Sequence, residues 1–166
     1  MVQIRPLHPD DAPVLAQQFN NKKIWNHIRD AIPYPYTLAD AAYFIKISEE
    51  DSSLFNFAIT YNKQFCGIVG LKAQNDIHRK SVELGYWIAE EFWQKGIATQ
   101  AIGLITDWAF MHLNINRIFA SVFENNIASM KALEHNAYRL EGILRKAVYK
   151  NQIFLDEYRY AKLKEI

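Results

Sequence analysis

The chain has 166 residues, half of them apolar, which is enough for the core of one domain and excludes a disordered chain. Nineteen basic residues against 18 acidic ones leave a net charge of +1, which argues against a duplex-binding protein but not against one local phosphate-binding loop. The lone Cys66 excludes an internal disulfide, no stretch reaches the roughly 20 apolar residues of a membrane helix, and the opening MVQIRPLHPDDAPVL has no apolar signal segment, so a cytoplasmic chain free of nucleic acid and membrane is expected.

Taken in chain order, residues 2–7 alternate as a short first strand. Asp10 or Asp11 caps a helix that runs to about Phe19, with Pro13 early in it where a missing N–H costs little. Residues 24–31 form a second short helix, ended by the extended Pro33-Tyr34-Pro35. Thr37 caps a third, carrying Leu38, Ala41, Ala42 and Ile45 at helical spacing. The aromatic residues Trp25, Tyr34, Tyr36, Tyr43 and Phe44 cluster here and suggest either an aromatic-walled pocket or plain core packing. Residues 54–61 and 65–73 are strands joined by a turn at Asn62-Lys63-Gln64, and 81–89 continues the meander. A helix follows from Gly96 to about Leu113, then a strand at 117–123, a helix from Asn126 to about Asn136, and two long strands, 138–149 and 152–163, turning near Lys150-Asn151. The strand–helix–strand passage from 81 to 123 predicts a right-handed crossover and a parallel pair, with the remaining neighbours joined as hairpins. The expectation is one domain over residues 1–166, α/β, with a single mixed, mostly antiparallel seven-stranded sheet flanked by helices.

Two strand-to-helix passages carry the chemical signal. In Glu91-Phe92-Trp93-Gln94-Lys95-Gly96-Ile97-Ala98-Thr99, a helix N-terminus exposes unpaired N–H groups, Gly96 and Ala98 admit an anion to the backbone, and Lys95 adds charge. That is a pyrophosphate cradle or a helix that happens to begin with glycine, and the run alone favours the second. No GxxxxGK[ST] or GxGxxG run occurs, which sets aside nucleotide triphosphatases and dinucleotide-binding domains. In the second passage, Asn126 is a natural N-cap and Ser129 a hydroxyl one turn into the helix. Gly142 lies inside a strand, where it marks a bulge or a close approach. Cys66 sits in an apolar strand and reads as core. The five histidines show no metal-ligand spacing, so no metal is expected.

Together the runs Val82-Glu83-Leu84-Gly85-Tyr86-Trp87-Ile88, Trp93 to Ala101, Asn126-Ile127-Ala128-Ser129, Glu134-His135-Asn136-Ala137-Tyr138 and Glu141-Gly142 resemble the GNAT N-acetyltransferases, in the RimJ/RimL-like branch that acetylates ribosomal-protein N-termini. Ile4-Arg5-Pro6-Leu7 and Pro33 to Thr37 match the same branch, so the resemblance spans nearly the whole chain.

The resemblance implies that the parallel pair splays into a V and that acetyl-CoA inserts there as acetyl donor. Pantetheine would pair with backbone near Trp87 and Ile88, and an amide N–H near Ile88 would polarise the thioester carbonyl. The pyrophosphate would rest on the backbone of Gln94, Lys95, Gly96, Ile97, Ala98 and Thr99, with Asn126 at the mouth of the cleft. The helix tyrosine that protonates the thiolate in many members falls at Leu133, and in this branch a serine at the Ser129 position takes the role. The glycine usual after that helix is Ala137.

Glu83, on the cleft strand, is the candidate for holding the water that deprotonates the amine, or else a plain strand carboxylate. A further acid position of the branch falls near Val148, leaving Tyr149 as a substitute. His27, Arg29 and Asp30 border the acceptor site in the family or form a solvated loop. The expected reaction is attack of a primary amine, on a protein N-terminus or a small molecule, in a ternary complex; the alternative is a non-catalytic acyl-CoA-binding module. A monomer or a homodimer is expected.

Overall fold

A computed structural model describes residues 1–165. The elements in order are β1 (Val2–Pro6), α1 (Ala12–Phe19), α2 (Lys22–Trp25), α3 (Leu38–Glu50), β2 (Leu54–Tyr61), β3 (Gln64–Ala73), β4 (Ser81–Ile88), α4 (Ile97–His112), β5 (Arg117–Phe123), α5 (Ile127–His135), β6 (Arg139–Lys150) and β7 (Ile153–Leu163). The strands form one seven-stranded sheet in the order β1-β2-β3-β4-β5-β7-β6. Among the described residues only β4 and β5 run parallel, and all other pairs are antiparallel.

Local sequence explains most of the boundaries. Thr37 and Asp40 form a reciprocal cap on α3: the Asp40 N–H donates to Thr37 Oγ1 at 3.2 Å, and the Thr37 N–H donates to Asp40 Oδ2 at 2.8 Å. The two tight hairpins turn on Asn62-Lys63 and Asn151-Gln152, and all four residues have positive φ, as two-residue turns require for strands with a right-handed twist. The second turn therefore lies one residue beyond the expected Lys150-Asn151. The helix expected over 24–31 is a single turn, Lys22–Trp25, capped by Asn21. Beyond it the N–H groups of His27, Ile28 and Ile32 each bond three residues back, so the chain continues in tight turns.

The expected hairpin order needs correction at two places. β1 pairs with β2 across three intervening helices, and β5 pairs with β7 rather than with β6. The last strand enters the sheet between its hairpin partner and β5. Gly142 marks a bulge, since the β6–β7 register shifts between Leu140 and Gly142, and a Cβ there would meet nothing.

A core lies on each face of the sheet. One, under α4 and α5, is built on Val69, Leu84, Ile102, Ile105, Ile118 and Leu133. Trp108 of α4 packs edge-on against Phe57 of β2, with ring centroids 4.8 Å apart. The other, under α1 and α3, gathers Leu15, Phe19, Tyr36, Ala41 and Ile45 over Ala58 and Ile68. The aromatic segment does not form one pocket. Tyr36 is buried against Phe19, Phe44 packs on the second core, Tyr43 faces solvent, and Trp25 reaches away towards the tip of β6. Cys66 is fully buried, as expected of a core residue.

Candidate active site

The site begins where the parallel ladder stops. β4 and β5 pair only at Ser81↔Arg117, Val82↔Ile118 and Glu83↔Phe119. From Leu84 onward β4 stays with β3 as far as Ile88, while β5 follows β7 as far as Phe123. The two strands diverge and leave a V whose inner edges carry unshared backbone groups. The Ala89 N–H turns back to the Cys66 carbonyl on β3 at 2.8 Å. Successive residues of a strand point their N–H groups to opposite sides, so the Ile88 N–H points into the V. The Ile88 carbonyl on that edge accepts from Trp93 Nε1 at 2.7 Å. The Trp87 ring leaves the edge and packs on Phe19 at 4.6 Å between centroids.

The loop beyond β4 is a backbone device. A single turn, Glu90–Phe92, is followed by Gln94 at φ 62° and by Gly96 at φ 69° in the left-handed region. Gly96 caps α4 without any side-chain hydrogen bond, so the N–H groups of Ile97, Ala98 and Thr99 are left without partners from the helix or a cap. A Cβ built on Gly96 would meet nothing, so the space above it is open. Lys95 bends back, donating to the Glu91 carbonyl at 3.0 Å with its ammonium 5.1 Å from the centre of the Phe92 ring. The Ile97 side chain is sunk in the core and fixes the helix start in place. Free N–H groups at the positive end of a helix dipole, with room before them, fit a pyrophosphate.

Across the V, Asn126 caps α5 by accepting from the Ser129 N–H at 3.3 Å. Ser129 Oγ is in hydrogen-bond contact with the phenol of Tyr86, from the middle of β4. Burial pushes that phenol up to about 12, against a smaller lowering by its bond to Ser129. Sequence reasoning passed over Tyr86; a tyrosine between Leu84 and Ile88 reads as one more core residue of an alternating strand. Glu83 sits at the last parallel pair, half-buried, one residue before the strands part. It lies on the opposite face of β4 from Tyr86, since side chains alternate along a strand.

At the Phe123 end of β5 lies a cleft of about 170 Å³ lined by Ile28, Arg29, Asp30, Tyr149, Lys150 and Glu157. Lys150 is only 3 % exposed. Its ammonium lies 3.2 Å from the centre of the Trp25 ring and donates to Asp30 Oδ1 at 2.6 Å. Asn151 Nδ2 adds a second link, to Asn26 Oδ1 at 3.0 Å. Trp25 is itself held by donating from Nε1 to the Ile32 carbonyl at 3.0 Å. Glu157 accepts from Arg159 at 3.0 Å, so both carboxylates of the cleft have cationic partners. Tyr149 is 60 % exposed and packs at a tilt against Phe154, with ring centroids 5.0 Å apart. Burial holds His27 below its ordinary value, with a smaller opposing effect from Asn125. Arg29, Asp30 and Tyr149 are thus brought together, while Ser129 and Glu83 lie elsewhere on the V. Among the described residues no group of three or more His, Cys, Asp or Glu side chains could hold a metal ion, and no helix is long and apolar enough to cross a membrane.

This geometry has close counterparts. A family profile described as an acetyltransferase (GNAT) domain matches residues 2–139. Over 166 residues the chain is 28 % identical to the N-acetyltransferase p20 of Bacillus licheniformis, covering 97 % of this chain and 92 % of that one. It is 34 % identical over 102 residues to the N-acetyltransferase YoaA of Bacillus subtilis, covering 61 % of this chain and 57 % of YoaA, so the matched part spans little more than half of that relative. Among solved structures, RimJ of Mycobacterium smegmatis in complex with CoA-disulfide superposes with a TM-score of 0.87 at 20 % identity, covering 98 % of this chain and 81 % of that one; the likeness is one of fold. Spermidine N-acetyltransferase from Vibrio cholerae, in complex with CoA and spermine, gives 0.84 at 25 % identity, covering 98 % and 95 %.

Proposed function

The chain belongs to the GNAT acetyltransferase family, whose members transfer an acetyl group from acetyl-CoA to an amine, and from that premise we propose how its own residues divide the work. The N–H groups from Gln94 to Thr99 bind the pyrophosphate of acetyl-CoA, with Lys95 beside them. The Ile88 edge of the V binds the pantetheine arm, and the Ile88 N–H supports the thioester oxygen as negative charge develops on it. Trp87 orients that edge from the α1 side, and Asn126 fixes the start of α5 at the mouth. A primary amine attacks the thioester carbon directly in a ternary complex. As the C–N bond forms the C–S bond breaks, and the sulfur leaves with the bonding pair. The amine's excess proton passes to water held at Glu83, while the Ser129 hydroxyl gives its proton to the departing sulfur and is reprotonated from solvent. Tyr149 contributes to the acceptor cleft.

The observation that carries this reading is the end of the β4–β5 ladder at Glu83↔Phe119. A parallel pair at the centre of a sheet normally continues, and here it gives way to an edge directed at a capless helix start. The acceptor favoured by the cleft is a protein N-terminus rather than a polyamine. A polycation needs free carboxylates, and Asp30 and Glu157 are already held by Lys150 and Arg159. On this reading residues 1–166 are one acetyltransferase domain that works in the cytoplasm without metal, nucleic acid or membrane. The test is thiol release from acetyl-CoA across a panel of N-terminal peptides, polyamines and amino acids, with products identified by mass. Acetylated peptides are expected. Acetylated polyamine alone would overturn the acceptor assignment, and coenzyme A binding without any thiol release would restore the non-catalytic acyl-CoA-binding module.

A further inference from the structure

On β4 the side chains of Leu84, Tyr86 and Ile88 point to the α4–α5 face, and Leu84 and Ile88 are both buried in the core there. Tyr86 sits between them and carries its hydroxyl to Ser129 on the neighbouring helix. On that helix the next inward positions, Met130 and Leu133, are buried and apolar. Ser129 is therefore the hydroxyl that α5 presents to the V, and Tyr86 is the polar side chain that touches it.

A hydroxyl has one proton and two lone pairs. If Ser129 donated to Tyr86, its proton would be turned into the protein and unavailable to a leaving group. If Tyr86 donates, one Ser129 lone pair is filled and the Ser129 proton is free to point elsewhere. The phenol is the more acidic hydroxyl and the better donor of the two. Its other oxygen neighbour, the Ser129 carbonyl, is 3.4 Å away, long for an O–H···O bond. The phenol proton accordingly belongs on Ser129 Oγ. The Asn126 cap on the Ser129 N–H holds the residue from the backbone side.

We infer that Tyr86 is a positioning residue for departure of the thiol: its phenol donates to Ser129 Oγ and so directs the Ser129 proton into the V, towards the leaving sulfur. The inference rests on the reading of Ser129 given above. No net proton is drawn from Tyr86, because the amine's proton leaves through the water at Glu83 and Ser129 is reprotonated from solvent. Burial keeps the phenol protonated at neutral pH, with its ionisation pushed up to about 12.

Four proteins test it: wild type, Tyr86→Phe, Ser129→Ala and the double variant, compared by steady-state kinetics with an active acceptor. Tyr86→Phe keeps the ring in the core and removes only the hydroxyl. It should lower kcat about tenfold, the worth of one hydrogen bond, with KM for acetyl-CoA changed less than about twofold. In the Ser129→Ala background the same change should cost nothing further, since its target is gone. A kcat unchanged by Ser129→Ala alone would remove Ser129 from the reaction and sink the reading beneath. Ser129→Ala lowering kcat while Tyr86→Phe leaves it unchanged, or lowers it equally in both backgrounds, would overturn the role of Tyr86 alone. As a second measurement that keeps the fold, fluorotyrosine at position 86 makes the phenol more acidic at almost constant size. Its kcat at neutral pH should match or exceed that of wild type, and a fall to the level of Tyr86→Phe would count against the inference.

Discussion

The two arms of the V lead to regions made of different materials. The region at the start of α4 is built from main chain: two left-handed residues, a helix without a side-chain cap, and open space over Gly96. The region at the β6–β7 tip is built from side chains: a buried Lys150 between Trp25 and Asp30, and Glu157 held by Arg159. Backbone can present the same N–H groups to the same phosphates whatever side chains surround it. Side chains can be exchanged one at a time to suit a new amine. On the proposed reading, this division lets one fold keep one donor while its acceptor changes.

The sharpest way to break the comparison is Gly96→Glu. A carboxylate before the free N–H groups opposes a pyrophosphate, and a residue with a Cβ at φ 69° adds about 1–2 kcal/mol of backbone strain. Coenzyme A affinity by calorimetry should fall by about a hundredfold or more, while circular dichroism stays native; wild-type affinity would show that the main-chain region is misplaced. Next is Ser129→Ala, which should lower kcat by about a hundredfold, at the low end for proton-transfer help because a thiolate leaves readily. A rise in KM for acetyl-CoA at constant kcat would make Ser129 a mere contact to the donor.

Asp30→Ala probes the side-chain region. It leaves a nearly buried ammonium with only the indole as partner, and should cost about 1–3 kcal/mol by denaturant unfolding. Acceptor KM should rise while KM for acetyl-CoA holds. Equal effects on both KM values would erase the distinction between the two regions. The smallest effect expected is at Ala137, which has φ 61° at the end of α5. The Tyr138 N–H bonds to the Leu133 carbonyl at 3.1 Å and the Ala137 N–H to the Glu134 carbonyl at 2.9 Å, a helix end that favours glycine. Ala137→Gly should add up to about 1 kcal/mol and raise Tm by roughly 2–4 °C, leaving both KM values alone.

What could be read in the amino-acid order follows the same division. The caps at Thr37 and Asn126 act between residues three apart, and the proposed cradle lies in six consecutive residues, so a window on the chain contains each whole device. The Asn62-Lys63 turn was visible for the same reason. The pairing of β5 with β7, the tie from Lys150 to Asp30 and the contact from Tyr86 to Ser129 each join residues that no local pattern relates. The 24–31 stretch misled because its partners lie outside it or across tight turns: Trp25 bonds to the Ile32 carbonyl and packs on Lys150, and the helix gives way to tight turns after Trp25.

The place of β7 in the sheet also sets the order in which the protein can be built. β5 has three paired positions with β4 and seven with β7. Until residues 153–163 have emerged from the ribosome, one wall of the V has almost nothing to lean on, however complete the rest of the chain. Closing that ladder means inserting the newest strand beside one made more than 30 residues earlier, a non-local step of the kind that slows folding. The β5 wall of the V is thus completed only once residues 153–163 have been made, and a nascent chain stalled before Ile153 would display an unpaired β5 edge, a surface prone to aggregation.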